Sequence, residues 1–333
     1  MRVLGIDIGG AHIKTALRDS AKELEALSWP FELWKHPLTL TNHLKKIFLE
    51  IGPVEIIGAT MTGELCDCYP SKAIGVNAIV DALNEAREET ELRWWSTEGR
   101  FVGSKTAKEN PLAVAAGNWS ASAHWLGRKY PLDRLLWLDI GSTTTDLIPI
   151  QNGGPINRGM TDPQRMVSDE LIYAGVRRTP LSALMGLTGA TEFFASTDDI
   201  FGLLGQVEEF PGDLHSADGK PRTTPARMLR LARMLGADLT TATHEELIEL
   251  AKRLRKTMVD RIIQGIEAIS SRMDGPFSRV VVSGSGEFLA KQIHRDIWGG
   301  QVPCVEISQF MGGPASTAFP AVALAMLLEL PGC

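Results

Sequence analysis

Three apolar runs organise the chain, and each is followed by a glycine-containing segment. They span Val3 to Ile8, Leu135 to Ile140 and Val280 to Val282. An unbroken apolar run is typical of a strand that is buried on both faces of a sheet. The glycines that follow predict tight turns where these strands end.

The first two runs are followed by segments that predict a returning strand. Ala11 to Leu17 follows the Gly9-Gly10 turn, and the threonine-rich segment Thr143 to Ile150 follows the Gly141-Ser142 turn. Both segments are rich in β-branched and apolar residues, which is typical of strands. The sequence therefore predicts two β-hairpins, one in each half of the chain.

Each predicted hairpin carries an aspartate near the end of its first strand. These residues are Asp7 and Asp139, which lie 132 positions apart. A short Asp-x-Gly motif is common in buried hairpins and has little meaning alone, but a duplicated hairpin indicates two related halves that face one cleft.

The residues of the two turns can donate hydrogen bonds to a phosphate group. Small residues leave backbone amides accessible, and threonine hydroxyls are further donors. The candidate phosphate ligands are Gly9, Gly10, Gly141, Ser142, Thr143 and Thr144. Two carboxylates that meet across a cleft repel phosphate, so Asp7 and Asp139 are expected to hold Mg²⁺. Lys14 would neutralise a phosphate oxygen, although it is equally consistent with a solvated strand residue.

The third apolar run leads into a turn that contains Gly284 and Gly286 and then into a predicted helix from Glu287. A strand, a glycine turn and a helix N-terminus together suit the close approach of a nucleotide. A complete P-loop or dinucleotide fingerprint is absent from the sequence, and so is a Gly-x-Ser-x-Gly elbow.

Four further polar residues are candidates for the site. Glu64 and Asp67 follow the predicted strand Val54 to Thr60, at the sheet edge where open α/β sheets bind ligands, but they also suit helix capping. Arg177 and Arg178 are predicted to lie in a loop between two helices. They could bind a diphosphate or a carboxylate, or they could simply complement a helix C-terminus.

Periodicity predicts the remaining elements. We expect a strand at 24–31, helices at 41–51, 109–126, 243–273, 287–297 and 315–330, mostly helical structure over 163–271, and an exposed loop or lid at 211–224. The small-residue helix 109–126 would cross between lobes, and helix 315–330 would pack on the N-terminal lobe.

Composition narrows the class of protein. The chain has 333 residues, 44% hydrophobic and 22% charged, with a net charge of −6, which argues against general nucleic-acid binding. No apolar run reaches the ~20 residues that span a bilayer, so we expect a cytoplasmic protein without a membrane partner. Its four cysteines do not form a disulfide framework, and Cys66 and Cys68 lack a second pair at metal-ligand spacing.

In this order, the motifs resemble those of the superfamily of acetate and sugar kinases, heat-shock ATPases and actin. Asp7 with Lys14 matches its first phosphate motif, 139–146 the second, and Gly284 with Gly286 the adenosine motif, while 110–119 and 313–318 resemble its connecting helices. The resemblance implies an α/β, two-lobed actin-like ATPase fold, which is ribonuclease H-like, with duplicated mixed sheets. The expected lobes are 1–128 plus 313–333, and 129–312 with a helical insertion at about 160–273.

Within that superfamily, segments 5–14, 60–67 and 137–146 resemble the hydantoinase/oxoprolinase-like proteins of tetrahydromethanopterin-linked one-carbon metabolism. The resemblance implies a transferase of methanofuran-type cofactor biosynthesis. A phenol oxygen of a γ-glutamyl tyramine or tyrosine would displace diphosphate from a furanmethyl diphosphate. Asp146, Glu64 and Asp67 are the candidate bases for the phenol, and Arg177 and Arg178 would bind the acceptor's carboxylate.

Two other functions remain open from the residues. The phosphate and adenosine motifs also predict an ATP-dependent small-molecule kinase or amidohydrolase-type ATPase, so the phosphate loops would hold either ATP or a substrate diphosphate. A nucleotide-binding sensor without turnover would share the same fold. The expected partners are small molecules, and a homodimer is left open.

Overall fold

The computed structural model describes residues 1–19 and 24–330, so predictions that involve 331–333, including Cys333, lie outside the described residues. The strands are β1 Arg2–Ile8, β2 His12–Asp19, β3 Glu25–Pro30, β4 Ile56–Met61, β5 Glu91–Ser96, β6 Arg100–Val102, β7 Leu135–Ile140, β8 Thr145–Gln151, β9 Gly154–Pro155, β10 Leu171–Ile172, β11 Arg279–Ser283 and β12 Cys304–Glu306.

The described helices alternate with these strands and fill the long segment between β10 and β11. They are α1 Leu40–Ile51, α2 Lys72–Ala86, α3 Ser104–Glu109, α4 Asn118–Lys129, α5 Asp162–Val167, α6 Leu181–Met185, α7 Thr197–Leu203, α8 Thr224–Met234, α9 His244–Ser270, α10 Glu287–Trp298, α11 Ile307–Met311, α12 Gly313–Thr317 and α13 Phe319–Leu328. Each is amphipathic or apolar enough to cover a sheet face, and none of the described helices is long and apolar enough to cross a membrane.

The strands form two mixed sheets, which define the first and second lobes of the molecule. The first sheet has the order β3-β2-β1-β4-β5-β6, and the second has the order β10-β8-β7-β11-β12 with β9 paired to β8. In both, an antiparallel hairpin lies beside a parallel strand: β1 and β2 beside β4, and β7 and β8 beside β11. The predicted duplication is therefore present in the topology. The predicted domain limits stay a prediction.

The two hairpins match residue for residue. Asp7 pairs with Lys14 in the first ladder, and Asp139 pairs with Asp146 in the second. The first turn closes when the Gly9 amide donates to the His12 carbonyl at 3.0 Å, and the second closes with the equivalent bond from Gly141 to Thr144 at 2.8 Å. One prediction was wrong in detail, because Thr143 and Thr144 belong to the turn and β8 begins only at Thr145.

Two predicted helices and the setting of one predicted loop were also wrong. Pro111 starts a short 3-10 turn and Ala116 has a left-handed φ of 48°, so of the predicted helix 109–126 only the part from Asn118 onward lies in α4, and α3 ends at Glu109. Ala318 interrupts the predicted helix 315–330 between α12 and α13, although α13 does pack on β1, β2 and β4 as expected. The segment with Arg177 and Arg178 follows β10 rather than a helix.

A glycine of α4 allows a close approach between backbones, although the small residues predicted to do so, at 113 and 115–117, precede this helix. A β-carbon at Gly127 would lie 2.4 Å from the Gly153 carbonyl oxygen of the β8–β9 turn. Glycine is therefore required there, because the helix touches the second sheet directly. The same helix packs on α13, which covers the first sheet, so α4 links the two lobes.

Candidate functional site

Asp7 is buried and Asp139 is half-buried, each near the end of its strand. Asp7 is 5% exposed, and its Oδ1 has no hydrogen-bond partner among the described residues. Asp139 accepts a hydrogen bond from the Ser283 hydroxyl at 2.5 Å. Burial raises the pKa of Asp7, and it raises the pKa of Asp139 to about 7 with a further contribution from Asp146. Two carboxylates at equivalent positions, one of them with an unpartnered buried oxygen, suit a cation.

Lys14 links the two carboxylates electrostatically. Its positive charge lowers the pKa of Asp7, with which it pairs in the first ladder, and also that of Asp139, against the larger effect of burial. No carboxylate forms a salt bridge with Lys14 among the described residues, which leaves its ammonium group available to an anionic ligand.

Each of the two turns has one backbone amide without an acceptor among the described residues. The amides of Gly9 and Gly141 are used inside their turns, but those of Gly10 and Ser142 donate to no acceptor within 1–19 and 24–330. Gly175 packs so closely on the second turn that a β-carbon there would lie 2.4 Å from the Thr143 nitrogen. The amides of Val176, Arg177 and Arg178 bind the carbonyls of Gly141 and Ser142 and fix this turn.

The third glycine turn has its own internal partners. The Gly284 amide donates to the Ser316 hydroxyl at 3.1 Å, and the Gly286 amide donates to the Ile140 carbonyl at 2.7 Å. Gly284 has a φ of 94°, and a β-carbon there would lie 2.8 Å from Asp139 Oδ1. These glycines let β11 end tightly against β7, and their amides are unavailable to a ligand.

Glu64 lies buried in the loop between β4 and α2, whereas Asp67 in the same loop is exposed. Burial raises the pKa of Glu64 to about 7, although the charge of Lys72 opposes this effect. Lys72 Nζ lies 4.0 Å from Glu64 Oε1, and Glu64 Oε2 has no hydrogen-bond partner among the described residues. A carboxylate with this pKa can accept a proton near neutral pH.

Asp146 differs from Glu64 because it already has a strong partner. It forms a buried ion pair with Arg165, whose guanidinium also stacks on the ring of Trp119 at 4.5 Å. Burial still raises the pKa of Asp146, despite Arg165. The ion pair makes Asp146 a poorer proton acceptor than Glu64.

A cavity of about 750 Å³ opens between the lobes beside the first turn. Its aromatic wall is formed by Phe31, Trp34 and Phe193, and its polar side includes Arg177 and Arg178. The other lining residues are Ala11, His12, Pro30, Glu32, His36, Ser196, Asp213, His215, Ser216 and Ala217. The combination of aromatic rings and guanidinium groups suits a ligand with an aromatic ring and an anionic end.

The two adjacent arginines have different environments. Arg177 Nη2 binds Asp213 Oδ2 at 2.6 Å, and Arg222 binds the same oxygen at 2.8 Å. No described side chain forms an ion pair with Arg178, and burial together with the charge of Arg177 lowers its pKa. The predicted loop 211–224 covers this side of the cavity, where Asp213 and a 3.5 Å pair between His215 and Glu32 anchor it.

His12 lies in the cavity but is not a cation there. Burial lowers its pKa to about 4, and the charges of Arg178 and Lys14 add to this effect. The imidazole is therefore neutral at physiological pH and can donate or accept a hydrogen bond.

Mg²⁺ fits the residues at the hairpin ends. No group of three or more histidine, cysteine or acidic side chains is arranged as a metal site in the described part of the chain. Mg²⁺ is nevertheless often held by one or two carboxylates, with substrate phosphates and water completing its shell. Asp7, with its unpartnered buried oxygen, and Asp139 match that donor set.

Comparison with known proteins identifies the family to which this two-lobed α/β protein belongs. The hydantoinase/oxoprolinase family model matches residues 55–330, and the chain belongs to that family. It is 32% identical over 336 residues to (4-{4-[2-(gamma-L-glutamylamino)ethyl]phenoxymethyl}furan-2-yl)methanamine synthase of Methanocaldococcus jannaschii, covering 98% of this chain and 97% of the relative.

Solved structures confirm the predicted actin-like fold. A PilM-PilN type IV pilus biogenesis complex superposes with a TM-score of 0.54 at 12% identity, over 99% of both chains. A glucokinase of the ROK family from Streptomyces griseus, in complex with glucose and AMPPNP, gives 0.51 at 15% identity, over 98% of this chain and 99% of that one. At such identities the likeness concerns the fold alone.

The sequence patterns did not single out Lys72 and Asp162 as site residues. Lys72 Nζ lies 3.1 Å from Asp162 Oδ2 and joins the first lobe to the second. One feature of the sequence points to Lys72. It is the first residue of a helix, where the helix dipole disfavours a positive charge, and carboxylate partners offset that unfavourable interaction.

Proposed function

We propose that this protein is a transferase that forms an aryl ether. It joins the phenol oxygen of a γ-glutamyl tyramine or tyrosine to the methylene carbon of an aminomethylfuran-methyl diphosphate, and diphosphate leaves. The observation that carries the proposal is the matched pair of hairpins, which place Asp7 and Asp139 at equivalent positions, together with an aromatic cavity that His12 of the first hairpin lines. The name of the M. jannaschii relative describes a phenoxymethyl-furan product, which supports the same bond.

The hairpin ends are the proposed diphosphate site. The free amides of Gly10 and Ser142 and the ammonium group of Lys14 would bind its oxygens. Asp7 and Asp139 would hold Mg²⁺, which supplies positive charge to the diphosphate when bound. Because these donors are already in place, they stabilise the charge that grows on the leaving group.

The displacement requires a base for the phenol. The bond between carbon and the diphosphate oxygen breaks, the bond from carbon to the phenol oxygen forms, and the phenolic proton passes to a carboxylate. A phenol has a pKa of ~10, so a base near pKa 7 is suitable. Glu64 fits this role best, because its Oε2 is unpartnered, while Asp146 is paired with Arg165 and Asp67 is exposed.

The cavity is the proposed acceptor site. The phenyl ring would pack against Trp34 and Phe193, and the glutamyl carboxylate would bind Arg178. Arg177 contributes less, since Asp213 already neutralises it. Bidentate binding of a carboxylate by a free guanidinium gives both affinity and orientation.

The decisive experiment supplies the two substrates with Mg²⁺ and follows ether and diphosphate by mass spectrometry. We expect one diphosphate released per ether formed, without ATP. A parallel reaction contains ATP and the acceptor but no furanmethyl diphosphate. Phosphate release that depends on the acceptor in that reaction, with no ether in the first, would establish a kinase or ATPase instead.

A further inference from the structure

Five charges of alternating sign connect the two lobes. The series begins at Glu64 and Lys72 of the first lobe, crosses to Asp162 and Arg165 of α5, and ends at Asp146 of β8. Lys72 Nζ lies 4.0 Å from Glu64 Oε1 and 3.1 Å from Asp162 Oδ2, and Arg165 Nη1 lies 3.9 Å from Asp162 Oδ1. Arg165 then hydrogen-bonds to Asp146. We name this set the charge ladder.

The charge ladder is withdrawn from water along its length. The side chains of Glu64 and Arg165 are each 2% exposed, and those of Lys72 and Asp162 are 22% and 20% exposed. Exposed ion pairs add little to stability, but removal of one partner from a buried pair leaves an uncompensated charge. Each charged side chain of the ladder is therefore stabilised in its buried position by its oppositely charged neighbours.

Lys72 makes the step between lobes, and it also faces the candidate base. Its contact with Glu64 involves Oε1, whereas Oε2 has no partner in the described part of the chain. That second oxygen is buried as well as unpartnered, and a substrate hydroxyl that reached it would satisfy it. At the far end, stacking of Arg165 on Trp119 fixes the position of Asp162 relative to α4.

We propose that Lys72 is a positioning residue that ties the lobes together through Asp162 and orients the Glu64 carboxylate toward the phenol. The second role rests on the proposed function, while the first does not. Replacement of Lys72 should therefore lower both thermal stability and kcat. The KM values of both substrates should change little, because Lys72 lines neither the diphosphate turns nor the aromatic cavity.

A charge exchange separates the two roles. Lys72→Met and Asp162→Asn should each lower the unfolding midpoint by several degrees. The double variant Lys72→Asp with Asp162→Lys restores the pair between lobes but places a carboxylate beside Glu64 and an ammonium group beside Arg165. We expect its unfolding midpoint to lie above those of the single charge reversals Lys72→Asp and Asp162→Lys, while kcat stays about 10- to 100-fold below wild type. Lys72→Arg should recover most of both quantities.

Lys45→Met is the matched control. Lys45 pairs with Glu85 at 3.0 Å within the first lobe, and this exposed pair should be neutral for stability and kcat. Recovery of kcat in the exchanged variant would overturn the role toward Glu64. Single variants at Lys72 and Asp162 that behave like Lys45→Met would overturn the tie between lobes. If wild type forms no ether, the Glu64 role falls with the function, and the unfolding midpoints still decide the tie.

Discussion

Asp213 binds the guanidinium group of Arg177 at 2.6 Å, and the adjacent Arg178 has no such partner among the described residues. Two neighbouring arginines that look alike in the sequence therefore differ in available charge. Arg178, which lacks an ion pair, has lost part of its hydration and is opposed in this only by more distant charges such as Glu32, which favours the binding of an anion.

Arg178→Met should therefore raise the KM for the phenol-bearing acceptor. A hydrogen bond to a charged group is worth about 1.5–3 kcal/mol, so an increase of roughly 10- to 150-fold is expected. Steady-state kinetics at varied acceptor concentration measures it.

Arg177→Met is the natural control for that measurement, because Asp213 keeps its contact with Arg222. We expect a much smaller change in acceptor KM. Equal effects of the two substitutions, or a larger effect at Arg177, would show that Arg178 is not the principal anion ligand.

Asp7→Asn and Asp139→Asn should abolish most turnover without unfolding the protein. Burial already raises the pKa of both carboxyl groups, so a neutral side chain of the same shape is tolerated. We expect kcat to fall by about 100-fold or more. Calorimetric titration of Mg²⁺ in the presence of inorganic diphosphate should show weaker binding for both variants.

Asp67→Asn provides the comparison for these two variants, since Asp67 is exposed in the loop that also holds Glu64. It should bind Mg²⁺ and diphosphate as wild type does. Unchanged Mg²⁺ binding in Asp7→Asn would refute the assignment of the metal site.

The pH dependence of activity should report Glu64. Its pKa is raised from 4.5 to about 7, so kcat/KM should rise as pH increases through about 7 and the carboxyl group loses its proton. Glu64→Gln should remove this limb and most of the activity. A pH profile that is unchanged in Glu64→Gln would exclude it as the base.

The free energy of unfolding should fall over the same pH range in which kcat/KM rises. Between pH 4.5 and about 7 the folded state holds a proton on Glu64 that the unfolded chain has lost, so Glu64 favours folding at low pH and this contribution disappears as pH rises through about 7. Glu64→Gln should flatten this part of the stability profile, as measured by urea unfolding at several pH values.

Gly175→Ala should displace the second phosphate turn. The added methyl group would lie 2.4 Å from the Thr143 nitrogen, which is backbone and cannot rotate away. We expect lower stability, by about 1–3 kcal/mol, and a higher KM for the diphosphate substrate. Gly154→Ala has open space around it and should leave both unchanged.

The hairpins could be predicted because residues adjacent in the sequence determine their strands and turns. Asp7 and Asp139 each follow an apolar run and precede small residues, and this pattern fixes strand, turn and register together. The ladder pairing of Asp7 with Lys14 follows directly once the turn is placed. The local pattern therefore predicts where the candidate site lies, but it does not identify the ligand that binds there.

The sequence does not predict the contacts that depend on distant partners. Arg227 and Arg230 of α8 are completely buried, because Asp198 and Asp199 of α7 bind them. In the sequence these arginines look like the solvent face of a helix, since nothing nearby reveals their partners. The same holds for Lys72, whose partner Asp162 is 90 positions away.

The matched register of the hairpins makes the cleft electrically one-sided. The position that pairs with the aspartate holds an ammonium group in one hairpin, Lys14, and a carboxylate in the other, Asp146, which Arg165 neutralises. At these paired positions an anion meets a positive charge on the first-lobe side and a neutralised carboxylate on the second-lobe side. Its more highly charged end is drawn toward the first-lobe side, which gives a bound diphosphate ester a preferred direction in the cleft.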